Sequence, residues 1–301
     1  MKSLHAVVAS IFLAGMMMLN TSCDDKDTDD LLKSISLKNG EYIVWEGEVS
    51  VSEYVVNEDD LLLPITWHSS DPNVIKVEGG KMSVAGPGKA VVTASVDGYE
   101  SEGEVTFVVP LAGMNNFSRG EVTVYMIGSG TATFDWADGS EPETVTLQGD
   151  NGISVTHDYG GVSVDRQILI TGGAGATSLT CNSMQLTRMR LSTNPKLTYL
   201  SFMGNEISES DFQTGLCSAL TYLDYSFNTL NITAEKFPAI TYLNCANNYL
   251  TGAQLNALWA SLPVYEPEED GTPVATFVMS GNSSEGFNGY NNPKGWGIVN
   301  D

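Results

Sequence analysis

Acid–base or metal chemistry needs His, Cys, Asp and Glu side chains brought together, and this chain has three histidines, His5, His68 and His157. Asp135, Asp138, His157 and Asp158 are the set whose types could form a metal or acid–base cluster. Each also has a structural role in prospect, because Asp138-Gly139 is a tight-turn pair and His157-Asp-Tyr159 lies in strand-like text. A Ser-His-Asp or Cys-His relay would have to borrow His68 or His157 from such text. Apart from Cys23, the cysteines Cys181, Cys217 and Cys245 are an odd set that cannot all pair within the chain. Cys181 and Cys245 occupy the same inward repeat position three strands apart, about 14 Å, well beyond the ~7 Å that a disulfide spans. Glu266-Pro-Glu-Glu-Asp-Gly271 has four acids but not the alternating ligand spacing of a calcium loop. Gly172-Gly-Ala-Gly175 lacks the Lys and the following helix of a phosphate loop. We therefore expect a chain that is not an enzyme, with no metal and no cofactor.

Binding chemistry is better placed. One line of residues recurs as Leu197-Thr-Tyr-Leu-Ser-Phe-Met-Gly-Asn205, Leu220-Thr-Tyr-Leu-Asp-Tyr-Ser-Phe-Asn228, Ile240-Thr-Tyr-Leu-Asn-Cys-Ala-Asn-Asn248 and Val274-Ala-Thr-Phe-Val-Met-Ser-Gly-Asn282. A weaker copy starts at Ala176, with Met184 where the others have Asn. Strand alternation sends the fourth and sixth residues inward and the third, fifth and seventh outward. Three tyrosines, Tyr199, Tyr222 and Tyr242, then stand in adjacent register, flanked by Ser201, Asp224 and Asn244. We expect their rings to offer apolar faces to a sugar ring or an extended peptide, with hydroxyls, Asp224 and Asn244 for hydrogen bonds.

The spacing and the Asn resemble a leucine-rich repeat, which implies a stacked solenoid whose Asn side chains satisfy backbone groups at each bend. Between strands the chain must cross and return. The text after Leu186 predicts an extended half-turn. Ser208 to Gly215 predicts a short helix with a Ser cap and a Gly stop, and Thr251 to Leu262 a longer one ended by Pro263.

Upstream, 31–110 alternates as short strands. Trp67-His-Ser-Ser-Asp-Pro72, followed by Gly86-Pro-Gly88, resembles a bacterial immunoglobulin-like (group 2) domain, implying a sandwich with Trp67 as core anchor and Asp71-Pro72 as a turn. Residues 111–172, with Phe134-Asp-Trp-Ala-Asp-Gly-Ser140 and His157-Asp-Tyr159, resemble a PKD-like sandwich, although Ala137 stands where that family has Gly. We expect it to cover the open end of the repeats in 173–301. At the far end Lys294-Gly-Trp296 resembles the closing cap of Bacteroidetes leucine-rich repeat proteins.

The first 22 residues have the form of a signal peptide: Lys2, an apolar run from Ala6 to Leu19, then Thr21-Ser22 before Cys23. The end resembles a bacterial lipobox, with Leu19 one place early, and implies a diacylglyceryl anchor on Cys23. The acidic run Asp24 to Asp30 is a solvated tether and resembles a surface-export signal of Bacteroidetes lipoproteins. The net charge of −23 argues against nucleic acid or an anionic membrane surface as partner. The expected protein is mainly β: an immunoglobulin-like sandwich, a PKD-like sandwich and a short solenoid with few convex helices. Its expected role is a lipid-anchored, cell-surface adhesion or binding protein of the outer membrane, whose partner is a protein or glycan held on the concave face of the repeats. The alternatives are an accessory glycan-binding lipoprotein of a polysaccharide-uptake system and, last, a hydrolase.

Overall fold

The computed structural model describes residues 35–57, 64–208, 212–291 and 294–301. The signal peptide, Cys23 and the acidic tether lie outside them, as do residues 209–211 of the helix expected after Ile207. Among the described residues no helix is long and apolar enough to cross a membrane. The protein is mainly β, with a single α-helix among the described residues.

The first eight strands are β1 (Gly40–Ile43), β2 (Glu48–Val49), β3 (Ile65–Ser69), β4 (Ile75–Glu78), β5 (Lys81–Val84), β6 (Gly88–Val96), β7 (Tyr99–Glu100) and β8 (Val105–Val109). They form one sheet in the order β1-β8-β6-β3, with β7 on β6, and a second in the order β2-β5-β4. Alternation along β6 buries Ala90, Val92 and Ala94, which meet Trp67, Met82 and Phe107 in one core. Trp67 is therefore an anchor, as expected. Asp71 turns the chain, its Oδ1 accepting the Asn73 amide at 2.9 Å and its carbonyl the Ile75 amide at 3.0 Å. His68 stands on the exposed side of β3, beside Ser95 Oγ at 3.4 Å. Gly88 is required as glycine: its φ is +145° and a Cβ there would lie 2.6 Å from Val74 Cγ2.

The remaining strands are β9 (Ala112–Asn116), β10 (Glu121–Asp135), β11 (Glu143–Asp158), β12 (Arg166–Gly172), β13 (Gly175–Thr180), β14 (Leu186–Leu191), β15 (Tyr199–Ser201), β16 (Phe212–Thr214), β17 (Tyr222–Asp224), β18 (Tyr242–Asn244), β19 (Ala275–Val278) and β20 (Trp296–Val299). All belong to one twelve-stranded sheet, ordered β16-β14-β9-β12-β10-β13-β15-β17-β18-β19-β20, with β11 paired to β10. From β13 to β20 every pairing is parallel. At β13 the sheet passes antiparallel into β10, crosses β12 and β9, and continues as β14 and β16. It thus wraps the end of the stack, where an uncovered strand edge would otherwise face solvent.

One buried cluster runs from Leu111 to Trp296. The strands expected to close a separate PKD-like sandwich do not close a core of their own: the boundary at 172/173 divides the sequence pattern, not the core. The physical reason is edge satisfaction, since β10 and β9 each present a free edge that β13 and β14 fill.

The stretch after Ile207 departs from expectation. Phe212–Thr214 is not helical but is strand β16, paired parallel with β14, Met189 opposite Phe212. Phe212 stacks on buried Phe202 with ring centroids 5.2 Å apart, so an available strand edge and an apolar contact override the local helix signal. The second helix is as expected: α1 (Gly252–Ser261) has a full capping box, Thr251 Oγ1 accepting from the Gln254 amide while Gln254 Oε1 accepts from the Thr251 amide. Leu255, Leu258 and Trp259 are its buried side. At the far end Trp296, 6% exposed, donates from Nε1 to the Pro263 carbonyl at 2.8 Å and closes the stack.

The two bodies meet in part through Trp45, while β12 also lies against β6 and β8. The Trp45 ring lies over Gly113 of β9, where a Cβ would come within 2.7 Å of the indole, and the Arg190 guanidinium sits 4.8 Å from the ring centroid. Its carbonyl accepts the Thr193 amide at 3.4 Å, and the neighbouring Glu46 pairs with Lys236 at 3.2 Å.

Candidate functional site

The inward residues fix the outward ones. Leu200, Phe202, Leu223, Tyr225, Leu243, Cys245, Phe277 and Met279 are all fully buried, which sets the face of each short strand. At the strand exits the Asn side chains act as backbone surrogates. Asn228 Oδ1 accepts the Ile207 amide at 3.1 Å, and Nδ2 donates to the carbonyls of Phe202, Tyr225 and Ser226 at 3.2, 3.0 and 3.2 Å. Asn205 repeats the arrangement one rung before, and Asn248 and Asn282 one and two rungs after. Where Met184 replaces the Asn, its own amide is taken by Asn205 Oδ1 at 3.0 Å.

Held this way, Tyr199, Tyr222 and Tyr242 are exact register partners and half-buried. Their rings stack face to face, with centroids 4.2 Å apart at 9° and 4.3 Å apart at 1°. This corrects one expectation: the faces meant for a ligand are spent on each other, because a strand spacing of ~4.8 Å leaves no room between adjacent rings. The row offers ring edges, hydroxyls and one face at each end, beside Ser178 and Thr276. Burial, then the neighbouring phenols, pushes the Tyr222 hydroxyl far above the ordinary tyrosine range.

The fifth column also differs. Ser201 and Asp224 are 2% and 7% exposed, so neither is available as expected. Asp224 Oδ1 accepts from the Ser226 amide and hydroxyl at 2.9 and 2.7 Å, and Oδ2 from Asn244 Nδ2 at 3.0 Å. Ser201 Oγ bonds Asn182 Oδ1 at 2.8 Å. A carboxylate under a row of rings is stabilised by such donors, and here they come from the repeats themselves. Asn244, half-buried, accepts the Ala246 amide on its Oδ1 at 3.0 Å.

Two further residues escaped the sequence reading. The eighth residue of each repeat, Ser183, Gly204, Phe227, Asn247 and Gly281, has positive φ. The signal was present, since Gly or Asn at a fixed place marks a left-handed turn, but Phe227 breaks it with a ring 57% exposed at φ +55°. Tyr249, two residues past the next such turn, has φ +58° and is 81% exposed. For non-glycine residues this conformation costs about 1–2 kcal/mol.

The cluster around His157 is divided by the fold. His157 Nε2 pairs with Asp138 Oδ2 at 2.7 Å and stacks on Trp136 at 4.8 Å and 10°. Tyr159 donates its hydroxyl to the Trp136 carbonyl at 3.3 Å. The Ser140 hydroxyl and amide, then His157, hold the Asp138 carboxyl well below the usual range. Asp135 and Asp158 instead accept the amides of Ala137 and Gly160, each within its own turn. Ala137, in the place where the resembled family has Gly, has φ +58°. The three thiols are free and fully buried; burial pushes Cys181 up strongly and Cys245 up to about 12. Among the described residues no group of three or more His, Cys, Asp or Glu side chains could hold a metal ion. No protein-family model and no curated protein matches this chain.

Proposed function

We propose that this is a lipid-anchored binding protein of the bacterial cell surface, tethered to the outer membrane through Cys23. In this reading a bacterial immunoglobulin-like module is the stalk, a PKD-like segment caps the end, and leucine-rich repeats present the contact surface to a protein or glycan. The observation that carries the reading is the in-register row Tyr199-Tyr222-Tyr242 on a parallel ladder, a flat, pre-ordered strip of phenol edges and hydroxyls beside Ser201, Asp224 and Asn244. Rigid aromatic groups with a polar tip give contact area at little entropic cost. The stalk's core and the Trp45 joint favour presentation at a fixed angle.

The test must keep the stack while removing its contact chemistry. Changing all three tyrosines to Phe preserves ring packing and strips the hydroxyls. The chain from Leu31 onward, applied to glycan and host-protein arrays, is expected to lose capture at unchanged Tm. Capture equal to that of the parent would remove the strip from the function.

A further inference from the structure

Among the seven described non-glycine residues at positive φ, Phe227 and Tyr249 stand apart, for both are aromatic and both are exposed. Strain at an exposed ring is not offset by burial, and among the described residues neither ring packs on another aromatic. Elsewhere the eighth column that holds Phe227 uses Ser183, Gly204, Asn247 and Gly281, while Tyr249 is the tenth residue of its repeat. Phe227 comes three residues after the end of β17 and Tyr249 five after the end of the adjacent parallel strand β18. We propose that Phe227 and Tyr249 form an aromatic platform for a neutral glycan running across the strand exits.

Charge and chemistry select that ligand. Beside the rings in their own columns stand Thr229, exposed, and Asn247, half-buried, both uncharged. Asp224, the one acidic residue in the outward columns, is buried with both oxygens occupied. Glu206, two rungs from Tyr249, is the remaining charge along the tenth column and is acidic. An anionic sugar would meet that carboxylate with no counter-charge, whereas aromatic faces beside uncharged donors and acceptors match the C–H face and hydroxyls of a neutral sugar ring. The inference rests on reading the repeats as a contact surface, but not on the tyrosine row.

The experiment is affinity electrophoresis of the chain from Leu31 onward, which holds every described element, in gels containing a neutral β-glucan, mannan or xylan, and separately polygalacturonate. The parent is expected to be retarded by at least one neutral polymer. Phe227→Asn and Tyr249→Asn should each weaken that retardation about tenfold, while the Tm of Phe227→Asn holds or rises by about 2 °C. A fall in its Tm beyond ~4 °C would make the ring a packing residue and overturn the proposal. Retardation unchanged in both variants, by polygalacturonate alone, or by no neutral polymer would also overturn it. Capture on the host-protein array without retardation in neutral gels would reject the ligand class and leave the binding role of the repeats standing. Failure in both assays would reject both.

Discussion

Tyr222 lies between the rings of Tyr199 and Tyr242, and burial together with two like neighbours disfavours its phenolate. Burial acts the same way on Tyr225 and pushes Tyr159 up to about 12. In each case the folded pKa exceeds the unfolded value of about 10, so the stabilisation is fully present below pH ~10 and is lost as pH climbs through the folded values. Phenolate absorbance should therefore show fewer of the 12 tyrosines titrating near the ordinary value in the folded chain than in urea, and Tm should fall on the alkaline side. A folded titration that overlays the unfolded one would contradict the stacked, half-buried row. At this scale the spacing of the tyrosines was legible in the text, because alternation fixes which way a side chain leaves a strand. Their mutual stacking was not, since it depends on the separation of residues about 20 positions apart in sequence. Burial of Ser201 and Asp224 was hidden for the same reason, because partners from neighbouring rungs complete their hydrogen bonds.

Among the elements, the strands are short, three residues in β15, β17 and β18, and cannot hold their register by ladder bonds alone. The Asn ladder joins each exit to the next. Replacing Asn228 by Ala would leave the Ile207 amide and the carbonyls it bridges without their partner in a buried site, at a cost of about 3 kcal/mol. A shift of the urea midpoint without a change in slope would measure that loss; an unchanged midpoint would show that the ladder is ornamental. Helix α1 was legible because its signals are local: a Thr cap, a Gln three residues on, and Leu and Trp at helical spacing. Strand β16 was not, because its partner β14 comes from an earlier turn, and nothing in the Ser208 to Gly215 text records a waiting edge.

For the whole molecule one contact between the bodies is the Trp45 joint. The indole fills a glycine notch in β9 and carries Arg190 on its ring, whereas the Glu46–Lys236 pair is exposed and contributes little. Trp45→Ala should weaken the joint by about 2 kcal/mol, from part-burial of an indole and one lost cation–π contact. Small-angle scattering should then report a larger radius of gyration while each body keeps its circular dichroism. An unchanged scattering curve would assign the fixed angle to other contacts. The net charge of −23 fits a well-solvated surface and leaves the ligand's identity to the local chemistry of the repeats.

By itself the sequence determined what local rules can fix: the mainly β class, the inward and outward faces of each repeat, the bends that need Asn, the capped helix and the core role of Trp67. These follow from side-chain period, capping and turn chemistry acting within about ten residues. Only the tertiary structure decided that the presumed second sandwich shares the repeats' core, that a predicted helix is a strand, that the tyrosines spend their faces on one another, and that two strained rings stand free at the strand exits. Each of those outcomes depends on edges and neighbours supplied by distant segments, whose satisfaction outweighs local preference.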